Sequence, residues 1–144
     1  MSNIKEILAN NKTIAMIGVS KDSSKASTIV MKYMQKYGYK VIPVNPKAKG
    51  EKILGEEVFE KITDIKEPVE IVDVFRPSNE AYAIAEDAVK IGAKVLWLQL
   101  GIRNENAKKL VEKNDIEYIE NKCTKMEYQK LFLKVRQAFP VLSD

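Results

Sequence analysis

The stretch from Ile14 to Pro46 constrains the fold more than any other part of the chain. An apolar run, Ile14-Ala15-Met16-Ile17, opens into a polar loop at Gly18-Val19-Ser20, a segment of helical period follows, and a second apolar run ends at Val44-Asn45-Pro46. Strands covered on both faces need not alternate polar and apolar residues. Two continuous runs separated by one helix therefore predict parallel strands joined by a crossover. The turn after the first run has the makings of a phosphate site, with a glycine, hydroxyls and the start of a helix. The end of the second run lacks the carboxylate that dinucleotide-binding folds set against a free ribose hydroxyl, and Lys47 and Lys49 follow instead. A nucleotide with an additional phosphate suits that arrangement.

The same grammar continues to the other end. Strand-length runs at Thr13 to Val19, Lys40 to Val44, Glu70 to Phe75, Lys94 to Gln99 and Ile116 to Ile119 alternate with helical periods or turns. They predict an α/β fold, a doubly wound, mainly parallel five-stranded sheet with helices on both faces. Ile29, Val30, Tyr33, Met34 and Tyr37 form the stripe of one helix, with Ser27 as a candidate cap and Gly38 as its stop. Ser78 is placed to cap a helix carrying Ala81, Ile84, Ala85 and Ala88 that stops at Gly92, and Asn104 one carrying Ala107, Leu110 and Val111. Thr124 and Glu127 have capping-box spacing before Tyr128, Leu131, Phe132 and Val135. An amphipathic turn at Ile4, Ile7 and Leu8 precedes the first strand, and 50–66 reads as a loop with a short strand or helical turn.

Composition limits the chemistry. A length of 144 residues suits one domain, residues 1–144, with a core of its own. The net charge of +4 comes from mixed signs, which predicts a solvated surface and no nucleic-acid partner. No run of apolar residues is long enough to span a bilayer, and no charged-then-apolar leader is visible, so a cytoplasmic protein without a membrane partner is expected. One cysteine, Cys123, excludes an intrachain disulfide framework, and the chain contains no histidine. Most familiar general bases, nucleophile activators and zinc ligands are thereby missing, and no metal site or catalytic residue is assigned.

Ligands of open parallel sheets bind beyond the carboxyl ends of the strands. The residues there are Gly18, Ser20, Lys25 and Ser27 after the first strand, Asn45, Pro46 and Lys47 after the second, Arg76 and Pro77 after the third, and Gln99 and Gly101 after the fourth. Phe75-Arg76-Pro77 offers an aromatic, a cation and a rigid turn as a wall for a base or a flexible arm, although Phe75 by itself reads as core. Trp97 reads as packing. NADP and CoA both satisfy the requirement for an extra phosphate, and an interaction module with a vestigial crevice is the third reading.

The chain resembles the small CoA-binding proteins related to the CoA-binding domain of the succinyl-CoA synthetase alpha subunit. The resemblance rests on Ile17-Gly18-Val19-Ser20 with Lys25 and Ser27, on Gly38-Tyr39-Lys40-Val41-Ile42-Pro43-Val44-Asn45-Pro46, and on Val72-Asp73-Val74-Phe75-Arg76-Pro77. Gly92-Ala93-Lys94 with Trp97-Leu98-Gln99, and Asn121-Lys122-Cys123, complete it. It implies a Rossmann-like domain that holds CoA or acyl-CoA. Gly18, Val19, Ser20, Lys25 and Ser27 would take the phosphates, Val44, Asn45, Pro46 and Lys47 the adenosine region, and Phe75, Arg76 and Pro77 the adenine or pantetheine. Gln99 and Gly101 would line the far side. Many relatives carry proline and arginine where Ser23 and Lys25 stand, and lysine lacks the bidentate fork of arginine. The synthetase uses a phosphohistidine and a partner subunit, so its ligase activity does not carry over to a chain without histidine. A regulatory, carrier or sensing role is the expectation, with an NADP(H)-binding redox protein as the alternative.

Overall fold

The computed structural model describes residues 3–134. In chain order the main elements are α1 (Ile4–Asn10), β1 (Thr13–Ile17), α2 (Ala26–Lys36), β2 (Lys40–Val44), β3 (Lys52–Ile53), β4 (Glu56–Glu57), β5 (Ile71–Val74), α3 (Ala81–Ile91), β6 (Val95–Leu98), α4 (Glu105–Glu112), β7 (Glu117–Ile119) and α5 (Thr124–Tyr128). Five of these strands form one sheet in the order β2-β1-β5-β6-β7, parallel throughout. The fold is the α/β, Rossmann-like one expected from the alternation of apolar runs. β3 and β4 make a separate antiparallel hairpin within 50–66. No helix among the described residues is long and apolar enough to cross a membrane.

Successive residues of a strand face opposite sides of the sheet, and the core divides accordingly. Ile14 and Met16 join Leu8, Val30, Met31 and Met34 on one side. Ala15 and Ile17 join Ala81, Ala85, Ala88, Ala107 and Val111 on the other. α1, α2 and α5 thus cover one face, and α3 and α4 the second. The alanines of α3 let its backbone lie close to the strands. Tyr39 strengthens the first face by donating its hydroxyl proton to the Leu8 carbonyl.

Several local expectations shift. The stripe of α2 is rotated: Ile29 is 44% exposed, and Met31, absent from the predicted stripe, is fully buried. α2 begins after Lys25 with no side-chain cap, so Ser27 lies within its first turn. Ser78 opens a single 3-10 turn ahead of α3, and its hydroxyl accepts from the amide of Arg103 instead of capping. Thr124 is the first residue of α5, and Cys123 occupies the cap position without a side-chain bond. Asn104 caps α4 as expected, accepting from the amide of Ala107 at 2.9 Å. After α5 the chain continues as a π-helical turn, Gln129–Leu133, that stacks Phe132 on Tyr128 with ring centres 4.7 Å apart. Val135 lies outside the described residues.

Candidate functional site

Strand order fixes where a site can form. From β1 the chain crosses to β2 on one side and then to β5 on the other, so the connections diverge between the carboxyl ends of β1 and β5. Gly18 sits at that point with φ +92, and a Cβ built on it would lie 2.6 Å from the carbonyl oxygen of Phe75. A side chain there would close the gap between the two strand ends and strain the backbone. The amide of Gly18 is bonded to the Val44 carbonyl at 2.8 Å and that of Phe75 to the Ile17 carbonyl at 2.8 Å, which ties the three exits together.

Two cavities open at this crest. The first, of about 320 Å³, lies over the ends of β1 and β2. Gly18, Val44, Asn45, Pro46, Lys47 and Arg76 line it, as do Glu60, Lys61 and Ile62 from the segment after the hairpin, Glu80 from the turn before α3, and Ile84 and Asp87 from α3. The second, of about 370 Å³, lies on the α2 side and includes Phe75, Arg76, Pro77, Gln99 and Cys123. Arg76 is the wall the two share. Lys61 was not visible as a site residue because its segment reads as a loop. The amide of Asn45 bonds to the Phe59 carbonyl, and a bridge pairs Val44 with Phe59, which folds 59–61 back beside β2.

The charges of the first cavity are balanced but unequally engaged. Arg76 forms a two-pronged ion pair with Glu80, at 2.9 and 2.7 Å. That contact raises the guanidinium pKa and holds the Glu80 carboxyl below its usual range. Lys49 pairs with Glu60 at 3.3 Å. Lys47 and Lys61 have no ion-pair partner among the described residues.

The loop after β1 is wired internally. The Ser27 hydroxyl, only 6% of that residue being exposed, accepts from the amide of Ser20 at 3.1 Å. The Ser20 hydroxyl accepts from the amide of Asp22, and the Thr28 hydroxyl donates to the Ser20 carbonyl at 2.6 Å. Asp22 accepts from the amide and hydroxyl of Ser24, which keep its carboxyl below the ordinary range. The hydroxyls of Ser20 and Ser27 thus accept within the loop and each keeps an O–H to donate, and among the described residues the first amides of α2 have neither intrahelical partners nor a capping side chain. Val19 turns its side chain into the core and gives its carbonyl to the Asn45 amide group at 2.8 Å. Lys25 is exposed at the start of α2. Ser20, Lys25, Ser27 and Gly101 line neither cavity, and the amide of Gly101 is bonded to the side chain of Asn121.

Beneath the second cavity lies a group that sequence reading did not single out. Asp73, in the middle of β5, is fully buried, and burial pushes its carboxyl up to about 7. Gln99 donates to its Oδ1 at 2.6 Å, and the Thr124 hydroxyl donates to its Oδ2 at 3.2 Å. Burial also pushes the Cys123 thiol up. No cluster of three or more histidine, cysteine, aspartate or glutamate side chains suited to a metal occurs among the described residues.

Comparison with known proteins agrees with this architecture. The family model described as "CoA binding domain" matches residues 12–129. An uncharacterized protein of Bacillus subtilis, YneT, is 35% identical over 127 residues, covering 88% of this chain and 93% of that protein. The alpha subunit of an ADP-forming acetate–CoA ligase from Pyrococcus furiosus is 30% identical over 95 residues, 63% of this chain but 21% of the subunit. A solved structure from Thermus thermophilus superposes with a TM-score of 0.86 at 36% identity, covering 91% of this chain and all of that one. The chain belongs to the CoA-binding domain family and is homologous to the CoA-binding domain of ADP-forming acetate–CoA ligase.

Proposed function

We propose that this chain binds CoA or acyl-CoA as a stand-alone module with no catalytic cycle of its own. The observation that carries the reading is the cavity at the β1–β2 end of the crest, where Lys47 and Lys61 lack ion-pair partners among the described residues and Arg76, paired with Glu80, stands beside them. Cations left unpaired around a cleft favour a polyanionic ligand. The uncapped first turn of α2, with Lys25 at its start, adds amides and a dipole of the same sign beside Gly18. The extra phosphate on the ribose would meet Lys47 or Lys61, and the pyrophosphate the α2 amides with Lys25. Gly18, Val19 and Ser20 would shape the approach of the chain, and Val44, Asn45 and Pro46 the adenosine region. Phe75, Arg76, Pro77, Gln99 and Gly101 would border the rest of the ligand.

The absence of a catalytic cycle is supported by the side chains at the crest. The chain has no histidine, the Cys123 thiol is held in its protonated form by burial, and the Asp73 carboxyl lies beneath Gln99. Binding, release and communication of CoA occupancy are functions that such a site performs without bond chemistry.

Calorimetric titration tests the reading. CoA binds more tightly than dephospho-CoA, and Lys47→Glu or Lys61→Glu narrows that difference without affecting folding, because an exposed lysine contributes little to stability. Equal affinity for the two ligands would remove the argument from the lysines. Displacement of CoA by NADPH at comparable concentration would transfer the site to a dinucleotide, and failure to bind any of the three would remove the reading.

A further inference from the structure

Arg76 forms the wall between the two cavities, and its side chain is held at both ends. At the stem, a Cβ built on Gly18 would lie 3.0 Å from Arg76 Cδ, so it is the bare backbone at position 18 that gives the arginine its path between the strand ends. At the head, Nε and Nη2 donate to Oε1 and Oε2 of Glu80 at 2.9 and 2.7 Å. The amide of Glu80 bonds to the Pro77 carbonyl at 2.9 Å, closing the 3-10 turn Ser78–Glu80 that brings the carboxylate back beside the arginine.

A guanidinium carries five N–H donors in one rigid plane. The two-pronged contact spends one on Nε and one on Nη2 and thereby fixes the plane. The remaining three, two of them on Nη1, make no hydrogen bond among the described residues. Both side chains of the pair are 45% exposed, and an ion pair so placed adds little to the stability of a fold. A carboxylate at this end of α3 also suits the helix dipole, but that contribution needs no arginine. What the clasp does change is the freedom of Arg76. A loose arginine has to be immobilised by its ligand, whereas one already clasped offers its free edge without that cost.

We propose that Glu80 is a positioning residue, which fixes the Arg76 guanidinium on the wall between the two cavities with its free edge open to an anionic group of a ligand that spans both. The proposal rests on the reading of the crest as a CoA site and adds to it a carboxylate that favours the binding of a polyanion. Charge alone has the opposite sign, because a carboxylate beside phosphates repels them. Competition between Glu80 and the ligand for Arg76 has that opposite sign too, so the direction of the effect separates positioning from both.

Calorimetric titration of CoA into the wild type, Glu80→Ala, Arg76→Ala and the double variant closes a cycle in which the bare charge of Glu80 cancels. Removing Glu80 disfavours CoA roughly 3- to 10-fold more in the presence of Arg76 than in its absence, the cost of immobilising one long side chain. Equal effects in the two backgrounds, or a larger gain in affinity where Arg76 is present, would overturn the proposal while the CoA reading stands. A wild type that does not bind CoA would end both. A second readout needs no ligand: nuclear relaxation of the Arg76 Nε–H in isotope-labelled wild type shows a side chain as rigid as the backbone on the ps–ns scale, and Glu80→Ala makes it mobile. A side chain equally rigid in the two proteins would overturn the assignment, and this comparison decides where Arg76→Ala binds CoA too weakly to complete the cycle.

Discussion

Asp73 is the residue whose behaviour the structure fixes most sharply without any ligand. Its carboxyl is fully buried, receives hydrogen bonds from Gln99 and Thr124, and is nevertheless pushed up to about 7 because burial outweighs those bonds. An aspartate in an unfolded chain titrates near 3.9. Between these values the folded state holds a proton that the unfolded state has released, so rising pH favours unfolding through this group, and the cost is complete above the folded value. A gap of about three pH units at 1.36 kcal/mol each is a total near 4 kcal/mol, of which roughly 2–3 kcal/mol falls between about pH 5 and about pH 8. Asp73→Asn keeps the shape and removes the titration. Urea unfolding, followed by fluorescence of the sole tryptophan, Trp97, which is fully buried, measures both proteins at the two pH values. The stability of the variant relative to wild type rises by roughly 2–3 kcal/mol from the lower pH to the higher. A relative stability equal at both values would show that Asp73 titrates normally and would refute the argument from burial.

Three further outcomes follow from the same geometry. Gly18→Ala, which combines a positive φ with a contact to the Phe75 carbonyl, destabilises the fold more than Gly38→Ala, where φ is +95 but nothing lies within 4 Å; thermal unfolding should show a loss near 1 kcal/mol for Gly38 and a larger one for Gly18. Ser27→Ala removes the acceptor of the Ser20 amide and costs about 1–3 kcal/mol in denaturant unfolding. Because α2 takes no cap from Ser27, its Ser27→Thr counterpart, which retains the hydroxyl, restores most of that loss. Cys123, its thiol pushed up by burial, reacts with iodoacetamide more slowly than glutathione at neutral pH, and unfolding in urea removes the protection.

The parallel sheet was legible because Ile14 to Ile17 and Val95 to Leu98 are apolar without alternation, a pattern that two-sided burial requires. The cap of α4 was legible because Asn104 and Ala107 are neighbours in sequence. Ser27, Ser78 and Thr124 have the same local signature, yet each hydroxyl is claimed by a residue elsewhere: Ser20, Arg103 and Asp73 respectively. Capping is a local preference of about 1 kcal/mol, and a tertiary partner of similar worth displaces it without leaving a trace in the sequence. The site follows the same division. Strand ends located Gly18, Lys47, Arg76 and Gln99, because strand order alone brings them to the crest. Lys61 depends on the return of 59–61 to β2, and the role of Asp73 depends on Gln99 and Thr124 approaching it from distant segments.

The proposed site places CoA across the crest between β1 and β5. Amide and side-chain chemical shifts of isotope-labelled protein, followed as CoA is added, test it most directly. With CoA at this crest, saturable shifts are expected at Gly18, Lys47, Arg76 and Gln99, which border the two cavities joined by Arg76. Shifts confined to Tyr82, Asn106 and Lys109 around the cavity between α3 and α4, or no shifts at all, would contradict it.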